Sequence, residues 1–132
     1  RHLVGAGCDA TGAGGGIYLA GASADFATIT DCQLSANTCN QTGGAILTYV
    51  STTLQGCAFI GNTAPSGGAI RFIGQSVNTV DDCEFRLNEA TGGSGPAIYT
   101  AMSAGSFTFV TRSEFRNNTG LTGGALEYAG EG

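Results

Sequence analysis

The chain contains no lysine and few charged residues of any kind. Only 11% of its 132 residues are charged, and five arginines against ten acidic residues give a formal net charge of -5. Nucleic-acid binding needs a basic stripe that neutralises phosphates, so this balance argues against a nucleic-acid partner. A chain with so little charge and 23 glycines resembles neither a charge-rich disordered protein nor an ordinary helical one. The composition indicates short strands joined by tight turns.

Long apolar runs and closely paired cysteines are also missing. No stretch approaches the roughly 18 apolar residues of a membrane-spanning helix, and no charged-then-apolar leader begins the sequence. Five cysteines would suit an oxidising compartment or a metal site, but the C-x-x-C pairs of a zinc site are absent. We therefore expect no metal and no cofactor, and a single structural unit over residues 1–132, within the usual size of one domain.

What the sequence does contain is a two-part repeat. The phrase Cys-x-(Phe/Leu)-x-x-Asn alternates with Gly-Gly-Ala-Ile, at a period of roughly 24–30 residues and without a helix-forming run. This pattern predicts an all-β, right-handed parallel β-helix (a β-solenoid) of about four to five coils, with three strands in each coil. The first phrase lies at 32–37, 57–62, 83–88 and 113–118, and the second at 14–17, 43–46, 67–70, 95–98 and 123–126.

Three features of the repeat predict how the coils stack. Cysteine and phenylalanine, two residues apart, face the same side of a strand and should form interior ladders with the apolar residue of the second phrase. The Gly-Gly pair suits a bend that needs a positive φ or a close backbone approach. The asparagine amide, at a fixed turn, can bond the amide of the next coil, which predicts a structural ladder. That ladder comprises Asn37, Asn62, Asn88 and Asn118.

The alternating F-x-x-N and GGA(I/L) motifs resemble the repeat of the chlamydial polymorphic outer-membrane proteins. The resemblance spans nearly the whole chain and departs from the pattern at Leu34, Pro96 and Ser113. It implies a right-handed parallel β-helix passenger that is displayed on a cell surface and adheres to host cells. The fold transfers with the motifs, whereas the partner does not, because the outer face of a solenoid can serve unrelated functions.

The cysteines follow the repeat. Cys32, Cys57 and Cys83 occupy equivalent positions and should stack inward as buried thiols. If Leu3 opens an earlier copy of the motif, Cys8 and Cys39 lie one above the other on adjacent coils, close enough for a disulfide. We predict that bridge, which would also indicate secretion.

Several patterns could carry chemistry or binding. Asp81, Asp82 and Glu84 form the best acidic cluster, but neighbouring arginines favour cross-strand salt bridges over catalysis, and we expect no enzyme. The tyrosines near the second phrase could stack on sugar rings or simply pack. Ice binding needs a regular threonine array, and the threonines do not repeat in register. Possible N-glycosylation sites are Asn40 and Asn117.

These observations favour an extracellular structural or adhesive β-solenoid, secreted or on a cell surface, that forms a surface appendage, filament or passenger segment. The alternative is a carbohydrate-binding or carbohydrate-degrading β-helix protein whose active coils lie outside this segment. Apolar ladders open at both ends predict either a piece of a longer protein or copies that stack end to end. Expected partners are a second copy or neighbouring coils, with glycans or a cell-surface receptor as further candidates.

Overall fold

The chain winds into a parallel β-solenoid with four strands in each complete coil. The computed structural model describes residues 5–6, 9–10, 15–21, 25–121 and 124–130. Within them, every strand pairs in parallel with the strand one coil before or after it, which produces four sheets along the solenoid. The fold class predicted from the repeat is thus correct, whereas the prediction of three strands per coil is wrong.

The strands follow one another coil by coil, and all are short. Each turn between them takes only a few residues, so equivalent positions recur at the same corner of successive coils. In chain order they are β1 (Gly5–Ala6), β2 (Asp9–Ala10), β3 (Ile17–Leu19) and β4 (Phe26–Thr30) in coil 1; β5 (Gln33–Ser35), β6 (Thr38–Cys39), β7 (Ile46–Thr48) and β8 (Ser51–Gln55) in coil 2; β9 (Ala58–Ile60), β10 (Thr63–Ser66), β11 (Ile70–Gly74) and β12 (Val77–Asp81) in coil 3; β13 (Glu84–Arg86), β14 (Glu89–Ser94), β15 (Ile98–Met102) and β16 (Phe107–Thr111) in coil 4; and β17 (Glu114–Arg116), β18 (Thr119–Gly120) and β19 (Leu126–Gly130) in coil 5.

Two apolar columns run through the core from coil to coil. In sheet 1 (β1, β5, β9, β13 and β17), the rings of Phe59, Phe85 and Phe115 stack nearly parallel, with centroids 4.8 and 4.9 Å apart. In sheet 3 (β3, β7, β11, β15 and β19), the isoleucines of the second phrase pair in exact register. A single coil could not bury these side chains, so the stacking of coils supplies the core. The residues of this second column are Ile17, Ile46, Ile70, Ile98 and Leu126.

The Gly-Gly pair makes the corner between sheet 2 (β2, β6, β10, β14 and β18) and sheet 3. The first glycine, as in Gly67, has a φ of 61°, and a Cβ there would lie 2.6 Å from the Ile70 carbonyl oxygen. The second glycine, as in Gly68, lies against the next coil, where a Cβ would approach the Glu89 carbonyl oxygen to 2.6 Å. One glycine therefore provides the left-handed turn and the other the close approach between coils.

The corner between sheets 1 and 2 also needs a left-handed residue, but it does not need glycine. Ala36, Gly61 and Leu87 occupy this corner in coils 2 to 4, with φ values of 54°, 64° and 58°. A Cβ at Gly61 would have nothing within 4 Å. The strain of a non-glycine residue here is set by its own backbone alone, which explains why the sequence varies at this corner.

The longer fourth coil contains two small insertions. Asn88 and Asn118 are 30 residues apart, whereas Asn62 and Asn88 are 26 apart. Two of the four extra residues form a bulge in β14, where the register shifts after Ala90, and two lengthen the turn after β15. Both insertions adjoin strands, because β14 spans Glu89–Ser94 and β15 spans Ile98–Met102.

Sheet 4 (β4, β8, β12 and β16) closes the coil and carries a buried polar network that has no counterpart in the repeat. Asn78 is fully buried, accepts a hydrogen bond from the Thr52 backbone N–H at 3.0 Å, and donates one to the Ser76 hydroxyl. The hydroxyls of Thr48 and Thr52 are 2.9 Å apart and both contact the Val50 carbonyl oxygen. These bonds satisfy the turn between sheets 3 and 4.

Candidate functional site

The four asparagines of the repeat form one column of hydrogen bonds. The side-chain amide of Asn37 donates to the Oδ1 of Asn62 at 2.9 Å, Asn62 donates to Asn88 at 3.0 Å, and Asn88 donates to Asn118 at 2.9 Å. Each Oδ1 also accepts the backbone N–H of the preceding asparagine at 3.0 Å. The asparagine side chains therefore link each coil to its neighbours.

Each asparagine amide also reaches back to the coil before it. Asn62 donates to the Leu34 carbonyl oxygen at 3.0 Å, and Asn88 and Asn118 donate in the same way to Phe59 and Phe85. Asn37, Asn62 and Asn88 are fully buried, so water cannot replace these bonds. The geometry makes this column a structural element of the solenoid rather than a reactive one.

Coil 5 leaves the end of the apolar core exposed. Leu126 and Tyr128 are 41% and 47% exposed, although their partners Ile98 and Thr100 in coil 4 are buried. A groove of about 410 Å³ lies beside them and continues to Phe107 on sheet 4. This surface consists mainly of apolar atoms that would pack against another coil.

The charged residues on the outer face of sheet 1 pair within a strand. The Arg86 Nε lies 3.5 Å from the Glu84 Oε1, and Glu114 and Arg116 form the same ion pair one coil later. The register places Glu84 beside Glu114 and Arg86 beside Arg116, so like charges stack across the coils. The cross-strand salt bridges expected for these residues are therefore replaced by pairs two residues apart on one strand. Because all four side chains are exposed, the pairs contribute little to stability.

One ion pair does join two coils. Arg112 donates two hydrogen bonds to the Asp81 carboxylate, and Thr111 donates a third. These bonds, with Arg112 the larger contributor, lower the pKa of Asp81 to about 2 and raise the pKa of Arg112. Asp81 therefore stays ionised at neutral pH, which suits an ion pair and not a general acid.

The predicted cysteine ladder is buried, whereas the predicted disulfide falls partly outside the described residues. Cys32, Cys57 and Cys83 are 2 to 3% exposed and line the core at the corner between sheets 4 and 1. Cys39 is buried as well, and Ala10 is its register partner in coil 1. Likewise Gly5, rather than Leu3, pairs with Leu34. Cys8 is not among the described residues, and its bridge to Cys39 stays a prediction.

The tyrosines and the two possible N-glycosylation sites lie on the outer surface. Tyr18 is 53% exposed and contacts Tyr49 edge to face, with ring centroids 6.1 Å apart. Tyr99 lies under the Arg71 guanidinium, 5.1 Å from its ring centroid. Asn40 and Asn117 are both exposed. Their glycosylation stays a prediction.

The register corrects one expectation about the threonines. Thr28, Thr53 and Thr79 pair in register on the outer face of sheet 4. Phe109 takes the next position, so the threonine column ends after three coils.

Among the described residues, no three histidine, cysteine or acidic side chains are grouped as metal ligands. The same part of the chain contains no helix of the length and apolarity needed to cross a membrane.

Comparison with known proteins defines the family. Residues 3–131 match the family model described as right handed beta helix region. The chain therefore belongs to the right-handed β-helix family, in agreement with the parallel sheets and stacked coils described above. Neither the search of curated proteins nor the search of solved structures found a match.

Proposed function

We propose that this chain is a structural or adhesive segment of an extracellular β-solenoid, as in the repeats of the chlamydial polymorphic outer-membrane proteins. The observation that carries the proposal is the exposed apolar end formed by Leu126 and Tyr128 beside Phe107. The core columns reach this surface with unchanged geometry, so another coil of the same repeat would bury it as coil 4 is buried by coil 5. That coil belongs to a second copy or to a longer chain.

The assembly of purified protein tests the proposal. We expect rods that lengthen with concentration in sedimentation velocity and appear as stacks in negative-stain electron microscopy. Leu126→Arg should abolish the stacks, because it places a charge where the next coil packs. Val77→Arg is the matched control, since Val77 is 49% exposed on the outer face of sheet 4 in coil 3, away from both ends, and should not affect stacking. A protein that stays monomeric at all concentrations, or one that responds to Val77→Arg instead, would contradict end-to-end assembly.

A second candidate function is carbohydrate binding, which the exposed pair Tyr18 and Tyr49 favours because aromatic rings stack on sugars. The pair lies on the outer side of sheet 3, where Tyr18 is in β3 of coil 1 and Tyr49 directly follows β7 of coil 2. Arg71 and Tyr99 contact each other in coils 3 and 4 of the same sheet. We expect a glycan array to identify a ligand whose affinity Tyr18→Ala lowers about tenfold, an effect of about 1.4 kcal/mol. Tyr128→Ala, at the core end, should leave the affinity unchanged. An array without a bound glycan, or equal losses in both variants, would count against this function.

A further inference from the structure

The cysteine column has a feature that a row of inert core residues would not need. Cys57 and Cys83 stack in successive coils, and the Glu84 N–H donates to the Cys57 carbonyl oxygen at 2.9 Å. Two residues further along, the rings of Phe59 and Phe85 are 4.8 Å apart. In-register parallel strands place neighbouring Cα atoms about 4.8 Å apart, which is within the 4.4–6.8 Å range of a disulfide.

The two thiols are close enough to affect each other's ionisation. In the structure each thiol donates to the carbonyl oxygen two residues before it, Cys57 to Gln55 at 3.4 Å and Cys83 to Asp81 at 3.3 Å. In coil 5 the same position holds Ser113, whose hydroxyl accepts the Cys83 N–H at 3.1 Å and donates to the Thr111 carbonyl oxygen at 2.8 Å. The thiol pair is therefore followed by a hydroxyl, which cannot extend a disulfide to the next coil.

A groove in the surface reaches both cysteines. Its volume is about 290 Å³, and its wall includes Cys57, Cys83, Gly56, Glu84 and Arg112. The groove is large enough for a molecule the size of hydrogen peroxide, whereas the Asp31 carboxylate lies against Gly56, with its Oδ1 2.5 Å from where a Cβ would be. The remaining lining residues are Ala58, Asp82 and Glu114.

We propose that Cys57 and Cys83 are a modification site that closes to an inter-coil disulfide when the protein meets a small peroxide. The Cys57 thiolate attacks one peroxide oxygen, the O–O bond breaks, and the released hydroxide takes up a proton to become water. The resulting sulfenic acid is attacked by the sulfur of Cys83, the S–S bond forms, and a second water leaves with the remaining proton. Two thiols are oxidised by two electrons, and one peroxide is reduced to two waters.

The electrostatics of the pair assign the two roles. The neighbouring Cys83 thiol lowers the pKa of Cys57, which favours its thiolate. The proximity of Cys57, with burial, raises the pKa of Cys83 well above its usual range, since its ionisation would stack a second thiolate on the first. Cys57 is thus the residue that meets the oxidant, and Cys83 resolves the sulfenic acid. The rate should rise with increasing pH as Cys57 ionises, at a lower pH than for an ordinary thiol.

The arginines of the chain allow a direct test. Trypsin cleavage after Arg71 and Arg86 releases a peptide, residues 72–86, in which Cys83 is the single cysteine, whereas residues 2–71 hold the other four. Native protein is treated with hydrogen peroxide, its remaining thiols are alkylated after denaturation, and the monomer fraction is digested without reductant. We expect mass spectrometry to find peptide 72–86 linked to peptide 2–71, with the link lost on reduction. A bridge between Cys8 and Cys39 would lie within peptide 2–71 and leave this result unchanged.

Two matched variants identify the partner of Cys83. Cys57→Ser should remove the linked peptide, whereas Cys32→Ser, an equally buried cysteine one coil earlier, should retain it. Both variants are expected to fold, because Ser113 already occupies this position in coil 5, and circular dichroism checks that they do. A fully alkylated Cys83 in peroxide-treated wild type, a link that survives in Cys57→Ser, or a link found only between molecules would overturn the proposal.

Discussion

Asn62→Ala is expected to lower the free energy of unfolding by about 3–5 kcal/mol, one of the two largest effects of any single substitution predicted for this chain. The alanine removes two bonds that Oδ1 accepts from Asn37 and two that the amide donates, to Leu34 and Asn88. All of these groups are in the dry interior, so they would be left without partners. Urea denaturation followed by circular dichroism measures the loss.

Two companion variants separate the hydrogen bonds from the shape of the side chain. Asn62→Asp keeps the shape but points an oxygen at the Leu34 carbonyl and the Asn88 Oδ1, both acceptors, and we expect it to be at least as destabilising as alanine. Asn40→Ala, an exposed control in unglycosylated protein, should change stability by less than about 0.5 kcal/mol. An Asn62→Asp variant close to wild type would show that packing, not the amide, makes this position important.

Gly68→Ala is expected to destabilise the solenoid by about 3 kcal/mol, the upper end of what overpacking usually costs. The added methyl would lie 2.6 Å from the Glu89 carbonyl oxygen and closer still to that of Pro96, both backbone atoms of the next coil. Neither can move without separating the two coils, since Gly68 itself donates to the Gly95 carbonyl oxygen. Thermal and urea unfolding both report the effect.

Gly61→Ala is the matched control for the close approach. Gly61 has a φ of 64°, and its alanine methyl would meet nothing within 4 Å. A left-handed alanine costs about 1–2 kcal/mol, and the reduced freedom of the unfolded chain returns about 0.4–1 kcal/mol, so the net loss should be about 1 kcal/mol. Equal losses for Gly61→Ala and Gly68→Ala would mean that the contact between coils at Gly68 costs no more than a left-handed alanine, which would contradict the close approach as the reason for this glycine.

The parts of the fold that could be predicted are those that every coil must solve in the same way. Phenylalanine, asparagine and the glycine pair recur because an interior ring, a buried amide and a close backbone approach are each needed once per coil. Spacing alone then indicates which residues stack, as for Phe59 on Phe85. The β-solenoid class and the ladder positions follow from this repetition.

The fourth sheet was missed because its coils solve the same problem with different residues. Its inward column contains Thr52, Asn78 and Thr108 at positions that share only their orientation. The buried network around Asn78 was hidden for the same reason, as was the threonine column that begins at Thr28. Pairing of charges within a strand, as in Glu84 and Arg86, depends on side-chain reach and does not show in the spacing of the repeat. The sequence signal that could have revealed the fourth sheet was a period-two alternation at 26–30, 51–55, 77–81 and 107–111.

The asparagine column has a direction, and this constrains how copies can assemble. In each bond between asparagines the side-chain amide donates to the following coil, from Asn37 to Asn62 and onward to Asn118, so one end of the column offers a donor and the other an acceptor. Two copies meeting by the same end would oppose like groups, whereas copies arranged head to tail would continue the hydrogen bonds. A stack of this protein would therefore be a polar filament with two unlike tips, able to grow at a different rate at each tip.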